Sequence, residues 1–192
     1  AGGHLGFSLE QLKNMAEYPL TRLVEEVRLA VKPFEEKYKK AIPLIAAGGI
    51  FDGIDAAGVF SRGASGIQMA TRFVATYECD VDQRFKDQYI NAQKEDVAII
   101  KSPVGLPGRA IRNDYLRDVE QGVKKPFRCL SNCLKPCDPL QSPYCIADAL
   151  INAQRGNMQQ GFAFAGDNVH RVNKMSSVKD IINEIAEQLT KA

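Results

Sequence analysis

The stretch Ile42-Pro-Leu-Ile-Ala-Ala-Gly-Gly-Ile50 decides the fold, together with Gly66-Ile-Gln-Met-Ala-Thr-Arg-Phe73 further along the chain. Ile42 to Ala47 is a continuous apolar run of strand length, as expected of a parallel strand covered on both faces. Gly48-Gly49 then forms a turn in which no Cβ obstructs a close approach and positive φ is tolerated. Asp52 can N-cap the helix opened by Asp52-Gly-Ile-Asp-Ala-Ala57, and Gly63 would end it. Gly66 to Met69 is a second buried strand, followed by Ala70-Thr71, which offer two further N–H donors and a hydroxyl. This alternation of helix and strand is α/β.

Two such turns on neighbouring parallel strands make an anion site. Backbone N–H groups gather at the strand ends, where a following helix start favours negative charge. In a (β/α)8 barrel, a phosphate site of this kind lies after strands seven and eight. Either turn alone is also explained as a tight βα connection with no ligand; the tandem pair carries the phosphate reading.

On the N-terminal side, Ser8-Leu-Glu-Gln11 reads as a capping box opening a short helix. Val24, Val27, Val31, Phe34 and Tyr38 recur at helical spacing between Thr21 and Lys40, and Pro33 is expected to split or kink that helix. The character changes after Cys79. Asp80-Val-Asp-Gln83 can cap a polar helix to about Ala92, and Val97 to Ile100 is a short strand. Ser102-Pro-Val-Gly-Leu-Pro-Gly-Arg109 reads as a loop. A cysteine-bearing segment follows, then a helix from Ser142-Pro143 to Arg155. Ser177 to Leu189 closes the chain as an amphipathic helix, with Ile181, Ile182, Ile185 and Leu189 expected on one face. Residues 1–79 therefore read as part of a barrel, 80–165 as a smaller cap, and 166–192 as a segment and helix returning to the barrel. Two parallel strands cannot close a barrel of eight. The remaining strands are expected in sequence outside this chain, an expectation with which the missing initiator Met agrees.

A net charge of +2 over 192 residues gives no electrostatic footprint for nucleic acid or an anionic membrane. No apolar run approaches the ~20 residues of a bilayer span, and Ala1-Gly-Gly-His-Leu-Gly6 lacks the character of a signal peptide. A reducing cytoplasm is the expected setting. There, Cys129, Cys133, Cys137 and Cys145, spaced C-x3-C-x3-C-x7-C, point to a metal or redox role before disulfides. Four thiolates so close in sequence could close a tetrahedral Zn site or hold an iron–sulfur cluster, although the spacing is not the C-x2-C of zinc ribbons. Reduced free thiols explain the segment equally well, and Cys145, in the first turn of a helix, is then the thiol expected to be most acidic. Cys79 stands apart and reads as packing.

His4 lies among Gly2, Gly3 and Gly6, in a stretch that reads as loop. A lone histidine is more often a structural hydrogen-bonder than a catalyst, but an imidazole of pKa ~6.5 is suited to moving a proton at neutral pH. His170 has no comparable setting and receives no role.

Taken together, Ala1-Gly-Gly-His-Leu-Gly6, Ala46-Ala-Gly-Gly-Ile50 with Asp52-Gly53, Gly66–Phe73, Ser102–Arg109 and Phe164-Ala-Gly-Asp-Asn168 resemble the nitronate monooxygenase (2-nitropropane dioxygenase) family, which includes FMN-dependent enoyl-acyl-carrier-protein reductases of type II. The resemblance implies the C-terminal part of an FMN-binding TIM barrel, strands seven and eight, with a smaller cap domain after strand eight. It implies that His4 follows strand six and faces the flavin as the catalytic acid/base. Gly2 and Gly3 would lie beside the cofactor, Gly48, Gly49, Ala70 and Thr71 would hold its phosphate, and Gln68 would end strand eight near it. Relatives usually carry Gly where Ala70 stands, so that approach is more crowded here. The implied reaction is oxidation of an alkyl nitronate with dioxygen by a flavoprotein oxidoreductase; the alternative is NAD(P)H-dependent reduction of an enoyl thioester. The implied partners are that small-molecule substrate, the N-terminal remainder of the barrel and a second copy in a homodimer, with no nucleic acid and no membrane. A reading of a different class is a non-catalytic module whose metal-bound cap mediates assembly.

Overall fold

A computed structural model describes residues 3–129 and 131–192. The chain is a mixed α/β fold with two separate small sheets. β2 (Ile45–Ala47) and β3 (Gly66–Gln68) are parallel, with Ile45 opposite Gly66 and Ala47 opposite Gln68. They are joined through α3 (Gly53–Phe60), which Asp52 caps by accepting from the Asp55 N–H at 2.9 Å. This is the βαβ unit read from the two glycine turns. The strand is shorter than the apolar run, beginning at Ile45 after Pro43. A proline has no N–H to give to a ladder.

Among the described residues, the expected two-sided cover of β2 is not present. Val24, Ala46 and Val59 form a small cluster on one side, where α2 (Leu20–Tyr38) and α3 lie, while Ile45 is 54% exposed. Two strands supply too little sheet to be sandwiched. The split expected of α2 at Pro33 does not occur: the helix runs through it and ends at Lys39 in the left-handed conformation. Of the residues at helical spacing on α2, Val24 is buried and Val27, Phe34 and Tyr38 are exposed.

The second sheet is antiparallel, in the order β1 (Gly3–His4), β5 (Pro107–Ile111), β4 (Val97–Lys101). Part of the stretch expected as a loop is thus strand: Pro107 starts β5, where its missing N–H is harmless. The His4 segment, expected as loop, is likewise extended, with His4 opposite Gly108. Most of the core belongs to this half. Ile100, Ala110, Tyr115, Leu116, Tyr144 and Phe162 pack between the sheet, α6 (Asp114–Glu120) and α7 (Ile146–Gln154). A second cluster, including Tyr89 of α5 (Gln83–Asn91), Ile111, Ala165 and Val169, joins it to the parallel unit.

The short helices α1 (Leu9–Lys13), with its Ser8–Gln11 capping box, and α4 (Thr71–Val74) complete the set with α8 (Val178–Leu189). Ile181 and Ile185 of α8 are buried, whereas Ile182 is exposed. Residues i and i+4 share a face, but i+1 turns away from it. Among the described residues, no helix is long and apolar enough to cross a membrane.

Candidate active site

The two glycine turns meet in one cavity of about 380 Å³. Its floor is formed by Ala47–Phe51 after β2 and Gln68–Arg72 after β3, and its far wall by Phe164–Asn168, with Gly3 and Tyr89 contributing to the lining. Gly48 (φ 94°) and Gly49 (φ 74°) both lie in the left-handed region, so the turn has a conformation that a side chain would oppose. Among the described residues, the N–H groups of Gly49, Ile50 and Thr71 donate no loop hydrogen bond. They belong to residues lining a concave space, and backbone donors without a loop partner are what a phosphate needs.

The helix start after the first turn does not add to this. Asp52 caps α3, and the Gly53 N–H donates to Gln188 Oε1 at 2.7 Å. Any anion at Gly48-Gly49 therefore depends on the turn itself, contrary to the expectation that the helix terminus would help. Nor does a free cation face the cavity among the described lining residues. Arg72 donates to the Phe51 carbonyl at 3.1 Å and is paired with Glu184. Asp167, also in the lining, lies 3.6 Å from Arg109.

The Phe164–Asn168 wall clasps both turns. Asn168 Nδ2 donates to the Gly49 carbonyl at 2.8 Å, and the Gly166 N–H donates to Thr71 Oγ1 at 2.8 Å. Because Thr71 Oγ1 accepts there, its proton remains available to a ligand. Tyr89, buried and with its pKa pushed up by desolvation, donates its hydroxyl to the Phe164 carbonyl at 2.5 Å and steadies the same wall. Phe164 and Asn168 belong to a stretch that carried family resemblance but no assigned role. Tyr89 had no signal, since an aromatic on a polar helix reads as ordinary core.

Of the expected site residues, Gly3, Gly48, Gly49, Gln68, Ala70 and Thr71 all line this cavity. Gly2 lies outside the described residues. His4 is beside the cavity rather than in its lining, its ring 4.9 Å from that of Phe164. A Cβ on Gly108 would come 2.6 Å from the Phe164 ring, so glycine there lets Phe164 approach. His4 Nε2 is 2.9 Å from Ser102 Oγ. Although His4 faces solvent, partial desolvation lowers its pKa below the ordinary 6.5.

The metal expectation is not met. Among the described residues, no three His, Cys, Asp or Glu side chains converge to hold an ion, and all five cysteines are free. The four clustered thiols are spread by local structure: Cys129 contacts Asn132, Cys133 is exposed, Cys137 contacts Ser142, and Cys145 is the N-cap residue of α7. Spacing in sequence did not become convergence in space, so neither the Zn or iron–sulfur site nor the metal-bound assembly module has a foundation here.

The family model of nitronate monooxygenase matches residues 1–188. The chain belongs to that family. A probable nitronate monooxygenase of Staphylococcus aureus strain Newman is 31% identical over 121 residues, covering 63% of this chain and 32% of the relative. The whole chain superposes on FabK from Thermotoga maritima with a TM-score of 0.71 at 27% identity, covering 52% of that structure. It also superposes on nitroalkane oxidase from Streptomyces ansochromogenes with a TM-score of 0.67 at 25% identity, covering 49%. The chain thus spans about a third of the curated relative and about half of each solved structure.

Proposed function

We propose that this chain is the C-terminal part of an FMN-dependent oxidoreductase, with β2 and β3 as strands seven and eight of a (β/α)8 barrel. On this reading residues 1–79 belong to the barrel, 80–165 form the cap, and 166–192 return to the barrel. The preceding strands of the barrel are its first partner. The exposed side of Ile45 and the stripe Val27, Phe34 and Tyr38 are apolar surfaces of the kind such strands and helices would cover. A cytoplasmic setting and a homodimer remain part of the proposal.

The observation that carries the reading is one cavity lined by both glycine turns, whose Gly49, Ile50 and Thr71 N–H groups have no loop partner among the described residues. The residues fit a flavin phosphate: Gly49, Ile50 and Thr71 would hold it through N–H groups and the Thr71 hydroxyl. Ala70 keeps its own N–H. Gln68, at the C-terminal end of β3, would meet the cofactor nearer its ring system. When bound, FMN supplies the two-electron chemistry. The chain's own part is to orient it, exclude water with the Phe164–Asn168 wall, and hold or move a substrate proton at His4, where desolvation favours the neutral ring.

The favoured reaction is oxidation of an alkyl nitronate with dioxygen. The test compares oxygen uptake on propyl nitronate with NAD(P)H-dependent reduction of a crotonyl thioester, in protein showing a flavin absorbance spectrum. Activity on the nitronate supports the assignment. Turnover of the thioester alone would replace it with enoyl reduction, and a colourless protein that takes up no FMN would remove the cofactor reading altogether.

A further inference from the structure

Ser102 follows β4 and is 3% exposed. It opens a tight turn in which the Gly105 N–H donates to the Ser102 carbonyl at 3.1 Å and Pro103 presets φ at the second position. The Val104 N–H approaches Ser102 Oγ at 3.4 Å, so that oxygen already has a donor. The remaining contact is with His4 Nε2 at 2.9 Å.

A hydroxyl has one proton to give. Among the described residues, the only acceptor within reach of the Ser102 proton is His4 Nε2. Were Nε2 itself protonated, it would donate to Ser102 Oγ, and a buried hydroxyl proton would be left without an acceptor. Leaving such a group unmade costs more than forming the bond gains. The arrangement with Ser102 donating to Nε2 satisfies the buried hydroxyl and leaves Nδ1–H on the exposed ring.

We infer that Ser102 is a positioning residue for His4, which holds the neutral ring in the tautomer protonated on Nδ1. Nε2 is occupied by the serine, and Nδ1–H is the nitrogen left to meet a ligand. The neutral ring then presents Nδ1–H, the atom at which it holds or gives a proton. The Phe164 ring, 4.9 Å away, packs against the imidazole and opposes its reorientation. The functional weight of this tautomer rests on His4 being the working ring proposed above, but the tautomer itself is measured without flavin or substrate.

The experiment is nitrogen NMR of protein labelled at histidine, recorded above pH 7. In protein carrying its complete barrel, His4→Gln assigns the His4 signals by their loss. The expected spectrum gives His4 a pyrrole-like Nδ1 and a pyridine-like Nε2. Ser102→Ala should shift both resonances toward the reverse pattern, and Ser102→Thr, which keeps a hydroxyl, should restore the original one. A pyrrole-like Nε2 in the unaltered protein would overturn the inference before any variant is made. So would a Ser102→Ala protein that folds and leaves both resonances in place. A merely structural serine would change stability without moving these signals, and a failed flavin assay would not alter them.

Discussion

Replacing Gly49 by alanine separates a phosphate-binding turn from a turn that only changes the chain's direction. Gly49 sits at φ 74°, and a Cβ built there meets nothing within 4 Å. The cost is therefore conformational rather than steric, about 1–2 kcal/mol for an L-residue in the left-handed region. Opposing relaxation is the bond from Asn168 Nδ2 to the Gly49 carbonyl, 2.8 Å long and on an exposed part of the wall. Such a bond contributes about 0.5–1.5 kcal/mol. Strain and restraint are thus similar in size, and the substituted turn relaxes for much of the time. Stability falls little, by roughly 2–4 °C in Tm for about 1 kcal/mol in a chain of this size. A ligand that needs the N–H groups of positions 49 and 50 must restore the turn and loses about 1–2 kcal/mol, a roughly 5- to 30-fold weaker Kd. The assay is quenching of flavin fluorescence on titration with the protein carrying its complete barrel, using FMN and riboflavin in parallel. Riboflavin lacks the phosphate, so its Kd should not change. An unchanged Kd for FMN would refute a phosphate at this turn. Equal losses for both flavins would show a general distortion of the cavity instead.

His4→Ala should lower turnover by about 10²- to 10⁴-fold while the flavin spectrum remains, since a proton-transfer group is removed and the phosphate site is untouched; steady-state rates with an absorbance spectrum check both halves. Tyr144→Phe should leave thermal stability unchanged or raise it slightly in a melting experiment. The Tyr144 hydroxyl is buried with no partner among the described residues, so its removal gives up no bond there. Asp82 caps α5, and the hydrogen bond from the Arg84 side chain holds its carboxyl down at about 2, against an ordinary 3.8. Its contribution is fully present above pH 3.8 and is lost as pH falls through about 2, because the unfolded chain takes up the proton first. Asp82→Asn should therefore flatten this part of an acid-unfolding curve followed by circular dichroism.

The parallel unit was the part most legible in sequence because every signal in it is local. Gly48 and Gly49 mark a left-handed turn, Asp52 caps the helix that follows, and the apolar runs sit on either side. Pro33, exposed, lies inside α2, which continues through it. Elsewhere distant contacts overrule local preference. Pro107 and Gly108 read as loop, but they are strand because β1 and β4 bond to either side of β5. The cysteine spacing suggested a metal site, yet nothing in the segment draws the four thiols together. His4 and Ser102 are 98 residues apart, and no pattern along the chain pairs them.

The sequence by itself determined the βαβ unit, the glycine turns and the family motifs, because these depend on backbone freedom and capping within a few residues. Only the tertiary structure decided how the site is enclosed. Antiparallel pairing puts His4 beside Gly108, the missing Cβ there admits Phe164, and Asn168 and Gly166 reach back to bind both turns. Those contacts join residues far apart in the chain, and chain folding alone brings them within bonding distance.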